Sequence, residues 1–176
     1  MNSIKKASFS AYLSTFILCA LFWILLTGSF DKEELIAGAG VSLIAAVFSA
    51  KSIMNDHPFW LWNPARMFPM LFYCLVIFPW GLIKANFDVA LRALNPRLPI
   101  NPGIVKVPVG LRSDYGKTML SDSITLTPGT ITMEMTEEDG QNYFYIHWID
   151  VKETDSEKAG DAIKGTLEKW VRRIWK

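Results

Sequence analysis

Long uncharged runs fill the first half of the chain, and shorter alternating segments fill the second. No charged residue occurs from Ala7 to Phe30, from Leu35 to Ala50, or from Met67 to Ile83. A helix needs about 20 apolar residues to cross a bilayer. The first run meets that length, and it is too long for the apolar core of a signal peptide. The second is short but carries Gly38, Ser42, Ala46 and Ala50 at four-residue intervals. That spacing puts four small side chains on one helix face, where another helix can approach closely. The third run contains Pro69 and Pro79, so it is expected to be a kinked span or to lie partly in the membrane–water boundary. The expected spans are about 9–28, 35–50 and 67–84. Helical spacing continues through Phe87, Val89, Ala90, Leu91 and Leu94. Lys84, Asp88 and Arg92 on that tail imply a helix leaving the bilayer.

The second half reads as a small folded domain. A proline-rich connector, residues 96–103, separates the membrane region (1–95) from residues 104–176. Ile104–Val109 is a β-branched strand, and its Pro108 suits a sheet edge. Asp114–Leu126 fits a helix that Asp114 caps and Pro128-Gly129 stops. Thr130–Met135 alternates polar and apolar residues as a half-buried strand does. Thr136–Gly140 is read as a turn and Tyr143–Val151 as the returning strand of a hairpin. Ala159, Ala162, Ile163, Thr166, Leu167, Trp170, Val171 and Ile174 trace the apolar face of a final helix. Thr154 and Glu157 form a capping-box pattern ahead of it. The expected fold is an α-helical membrane half of about three transmembrane helices, followed by a small α+β domain in β-α-β-β-α order.

Composition narrows the function. The chain has 176 residues, 51% of them hydrophobic, and a net charge of +1. That charge gives no reason to expect a nucleic-acid partner. Cys19 and Cys74 lie in apolar runs and read as small buried hydrophobes, and no metal-ligand spacing occurs. No nucleotide-binding, hydrolase or metalloprotease motif is present, so neither an enzyme nor a cofactor is expected. Ser121-Asp122-Ser123 reads as solvated or capping side chains. His147 and Asp150 are three apart, so in a strand they point to opposite faces. The cationic end of the last helix complements its dipole. None of the three runs contains Asp, Glu, Lys, Arg or His. Proton and cation carriers keep such residues at membrane depth, so this chain is not expected to carry ions alone.

Orientation follows from basic residues near the spans. With three spans, Lys32, Lys84, Arg92, Arg97, Lys106 and Arg112 lie on one side, six against four for Lys5, Lys6, Lys51 and Arg66. A plasma-membrane protein with a cytoplasmic C-terminal domain is the expected arrangement.

The segment Ser123–Thr132, with the core Thr125-Leu126-Thr127-Pro128-Gly129-Thr130, precedes Tyr145-Ile146-His147-Trp148-Ile149-Asp150. This pattern resembles the MrpE/MnhE family, small components of Mrp-type multisubunit cation/proton antiporters. Gly28-Ser29-Phe30, Gly38, Asn86–Val89 and Pro102-Gly103-Ile104 match in the same order, so the resemblance covers essentially the whole chain. It implies an accessory role among other antiporter subunits and membrane lipid, with ion paths in larger subunits. It also implies an alternative membership, in a membrane-bound hydrogenase or related respiratory complex. Thr125–Thr130, His147 and Asp150 become motif residues with a structural or assembly role. The pair Trp60 and Trp62, with Pro69 and Pro79, departs from the pattern.

Overall fold

The computed structural model describes residues 8–53 and 63–175, so His57, Trp60 and Trp62 lie outside the described residues. Two compact units emerge, residues 1–66 and 67–176. Among the described residues, three helical stretches are long and apolar enough to cross a membrane: Phe9–Thr27, Lys32–Ala50 and Pro64–Leu94.

In the first unit, α1 (Phe9–Thr27) and α2 (Lys32–Ile53) form a helical hairpin. Ser8 caps α1 by accepting the Ala11 N–H at 3.2 Å. Helix α2 starts at Lys32, within the charged segment Asp31-Lys32-Glu33-Glu34 between the first two apolar runs, and Glu33 and Glu34 favour its N-terminal dipole. Gly38, Ser42, Ala46 and Ala50 are all buried. Across from them Ala11, Ser14 and Thr15 of α1 are buried as well. A side chain at Gly38 would begin 2.5 Å from the Trp23 ring. Small residues therefore let the indole seat directly on the α2 backbone.

The third helical stretch consists of α3 (Pro64–Phe72), a π turn (Tyr73–Ile77) and α4 (Phe78–Leu94). Pro79 has no N–H to offer the carbonyl four residues back, and its ring crowds that carbonyl. The π turn just before it widens the spiral, and the Phe78 N–H bonds Tyr73 O, five residues back. The helix thus passes both prolines without ending. Cys74 is exposed here, contrary to the expectation of a buried small hydrophobe.

The remainder of the second unit is the α+β domain, with β1 (Gly103–Val109), α5 (Asp114–Leu126), β2 (Thr130–Glu138), β3 (Gln141–Trp148) and α6 (Ser156–Ile174). The sheet is antiparallel in the order β1-β3-β2, with Val107 opposite Phe144 and Thr132 opposite Ile146. Pro108 sits in an edge strand, where its missing N–H breaks no ladder. Helices α5 and α6 cover one face. Val105, Val107, Val109, Phe144, Ile146, Leu120, Ile124, Val171 and Ile174 form the core.

Three local expectations change. The hairpin turn is only Asp139-Gly140, both with positive φ, as a two-residue connection prefers. Thr136, Glu137 and Glu138 therefore belong to β2. Ser113 caps α5, and Asp155 caps α6 by accepting the Lys158 N–H at 3.1 Å, so neither Asp114 nor Thr154 does. Ser123 is buried, because α5 turns it inward.

One buried ionic cluster fixes α6 to the sheet. Glu168 accepts the Gly110 N–H at 2.7 Å, just beyond β1, and pairs with Lys164 and Arg172. Burial pushes its acidity down. The Lys164 ammonium, the Gly110 N–H and the Arg172 guanidinium outweigh that and hold its pKa below the usual glutamate value. A depressed carboxylate pKa stabilises the fold above the unfolded value and loses that contribution as pH falls through the folded one.

Glu168→Gln should leave Lys164 buried without its counter-ion and destabilise the domain by about 3 kcal/mol. It should also flatten the loss of stability below about pH 4.5, both read by thermal unfolding of the detergent-solubilised protein across pH. Gly38→Leu should destabilise the α1–α2 hairpin by about 1–3 kcal/mol through overpacking on Trp23. Gly38→Ala should cost less, in the same assay.

Candidate structural joint between helix and domain

The motif Thr125–Thr130 is the hinge between α5 and β2, and the third helix rests on it. Helix α5 ends where Thr127 leaves the helical conformation, its Oγ1 donating to Ile124 O at 2.7 Å. Thr127, Pro128, Gly129 and Thr130 then form a type II β-turn. Proline at its second position presets φ, and glycine at its third takes φ +91°. The Thr130 N–H closes the turn on Thr127 O at 3.4 Å. Thr130 Oγ1 reaches back to Ile124 O at 2.7 Å and lies 3.0 Å from Thr127 Oγ1. Thr125 Oγ1 accepts the Thr132 N–H at 3.2 Å, occupying a donor of edge strand β2. Each threonine of the motif thus holds backbone that neither helix nor sheet satisfies. Leu126 takes no part in the core and is 64% exposed.

Gly129 lies against two other segments. A Cβ there would sit 2.9 Å from Ile149 and 3.5 Å from Val89 of α4. Ile149 and Gly129 are also joined through the backbone, with the Ile149 N–H donating to Gly129 O at 2.8 Å. Asp150 follows. Its Oδ2 accepts from Arg92 at 2.7 Å, and the same guanidinium donates to Asp88 at 2.8 Å and to Pro99 O at 2.7 Å. Arg92 therefore ties together α4, the connector and the end of the sheet. Asn101 completes the tie, its N–H bonding Ile149 O and its carbonyl accepting from Val151.

Farther up the helix, Tyr73 in the π turn is buried, and its hydroxyl donates to Ser123 Oγ at 2.6 Å. Ser123 in turn donates to Met119 O at 2.7 Å. Phe72 meets Trp170 of α6 with ring centroids 5.2 Å apart. Between these contacts lies a cleft of about 450 Å³, lined among others by Trp80, Gly81, Pro128, Ile163 and Leu167.

The motif residues thus separate into two groups. Thr125, Thr127, Pro128, Gly129, Thr130 and Asp150 converge on the joint. His147 does not. It stands on the uncovered sheet face, in a row between Ile104 and Ile131. Sequence reasoning missed Arg92, Tyr73 and Ser123 as partners. The four-residue spacing of Asp88 and Arg92 signalled one pair, but nothing local signalled Asp150, 58 residues away. Among the described residues no three His, Cys, Asp or Glu side chains come together as a metal site would need.

Gly129→Ala should force a Cβ onto Ile149 in a positive-φ conformation and destabilise the joint by at least about 1–2 kcal/mol. Substituting Leu126 should have little effect. Thermal unfolding of the solubilised chain, compared across the two variants, checks this.

Known proteins share this whole-chain pattern. The family model described as "MNHE: Na+/H+ ion antiporter subunit" matches residues 16–174. The E1 subunit of the Na(+)/H(+) antiporter of Staphylococcus haemolyticus (strain JCSC1435) is 34% identical over 159 residues, 90% of this chain and 93% of that one. Its counterpart from Staphylococcus aureus (strain bovine RF122 / ET3-1) is 30% identical over 161 residues, 89% and 92% of the two chains. A chain in the structure of the membrane-bound sulfane sulfur reductase, an archaeal respiratory membrane complex, is 44% identical, with a TM-score of 0.79 over 94% of this chain and 99% of that one. With the family model spanning nearly its full length, this chain belongs to the MnhE family of Na+/H+ antiporter subunits, a family of transporter components rather than enzymes, and is a multi-pass membrane protein.

Proposed function

We propose that the chain is an accessory or assembly component of a multisubunit monovalent-cation/proton antiporter in the plasma membrane, that it provides no ion path of its own, and that its α+β domain faces the cytoplasm. The observation that carries this reading is the absence of Asp, Glu, Lys, Arg and His from all three apolar runs. An ion crossing hydrocarbon needs compensating groups at depth, and this chain offers none there. Of the charges that follow on the third helix, Asp88 and Arg92 are engaged within the chain, with one another and, for Arg92, with Asp150. What remains is structural. A helical hairpin, and separately a domain locked to a third helix, are elements around which other subunits assemble. The orientation rests on the distribution of basic residues.

A second reading has its own support. The sulfane sulfur reductase chain, at 44% identity, is more similar than the antiporter subunits at 30% and 34%. The same structural role then belongs to a respiratory membrane complex.

Deleting the gene should prevent the remaining subunits from assembling and abolish their activity, and the wild-type chain should restore both. Co-purification from native membrane separates the readings. Antiporter subunits with Na+-dependent proton exchange favour the first, and redox subunits favour the second. Normal assembly and full activity without the chain would rule out both. The chain reconstituted alone should move no Na+ or protons.

A further inference from the structure

The third helix is polarised in the reverse of the usual direction. A helix on the surface of a water-soluble domain turns its apolar stripe to the core and its charges to solvent. Here Arg92 turns toward the domain to reach Asp150, and Asp88 is paired with it. Gly81, Lys84 and Ala85 line the cleft against the domain, and Val89 lies by Gly129. The side turned away from the domain carries Ile83, Phe87, Leu91 and Leu94, exposed by 47%, 67%, 69% and 81%, and Trp80, 60% exposed, stands at its edge beside the cleft. At about 100° per residue these five fall within about 80° of arc. Phe68, Leu71 and Leu75, also exposed, extend the stripe back toward Pro64, with three- and four-residue spacing among themselves and a five-residue step from Leu75 to Trp80 at the π turn.

We infer that the outward face of Trp80–Leu94 lies in the boundary layer of the lipid bilayer, so that the helix stays at the membrane beyond Lys84 and carries the α+β domain on its other side. Three features select lipid as the occupant. The stripe is continuous with the apolar face of a stretch long and apolar enough to enter a membrane. No carboxylate lies within its arc, and the nearest, Asp88, is bonded to Arg92. Its rim carries Trp80 with the Lys84 ammonium 5.4 Å from the ring, an aromatic–cation pair suited to the headgroup level. The sign of that rim fits anionic headgroups.

The test uses the full chain purified from its native membrane with whatever accompanies it. Cys19 and Cys74 are replaced by Ala, and single cysteines are introduced as Phe87→Cys, Leu91→Cys or Leu94→Cys. Thr118→Cys, exposed on α5, is the control. Each variant is labelled with an environment-sensitive fluorophore and reconstituted into vesicles of phosphatidylcholine and phosphatidylglycerol. Nitroxide-bearing lipids should quench the three stripe positions severalfold more than position 118, and a water-soluble quencher should show the opposite order. Stripe probes quenched mainly from water would overturn the inference. So would stripe probes reached by neither quencher, which would mean a protein partner covers the face. Should Phe87→Cys fail to co-purify normally, Leu91→Cys and Leu94→Cys decide the matter.

Discussion

Arg92 sits near the end of a helical stretch of 31 residues that carries no charge from Met67 to Ile83. Its guanidinium is planar, permanently charged and able to donate in several directions at once. It uses that capacity fully, on the carboxylates of Asp88 and Asp150 and on the carbonyl of Pro99. The side chain is only 12% exposed and that of Asp150 18%. At such burial, removing either partner strands a charge in a medium that cannot hydrate it, so the three groups must be placed together. The placement of helix, connector and sheet end follows from that requirement.

The rest of the joint repeats the same physics with uncharged groups. The hydroxyls of Thr127 and Thr130 both donate to the Ile124 carbonyl at the end of α5. Tyr73 brings a phenol into the domain and meets a serine positioned for it. Glu168 answers the loose Gly110 N–H beyond β1 and is answered by Lys164 and Arg172. Each of these polar groups finds its partner across a turn or in a distant segment, which makes the arrangement specific as well as stable.

The membrane imposes the complementary constraint. Where hydrocarbon surrounds a helix, exposed apolar side chains cost nothing, and association relies on close fit between small residues. Gly38, Ser42, Ala46 and Ala50 provide that fit against α1. On the third helix the outward stripe remains apolar to Leu94, while polar groups gather on the side that bears the domain. One face therefore answers to a solvent with no hydrogen bonds, and the other to a folded domain.

Much of this protein was legible in its residues alone. Charge-free runs mark membrane helices because a charge in hydrocarbon is costly anywhere along the run. The β-α-β-β-α order follows from periodicity, and the Pro128-Gly129 pair announces a turn, since few other residues suit those dihedral angles. These are local properties, carried within a few residues of one another. The tertiary structure decided what periodicity does not encode. It set Arg92 beside Asp150, Tyr73 against Ser123 and Glu168 under Gly110, pairs separated by 50 or 58 residues. It also kept the third helix intact across Pro79 by a π turn, and it chose which side of Leu91 faces out. Such choices depend on which buried donors and acceptors meet once the chain has closed on itself, and no stretch of sequence holds both members of the pair.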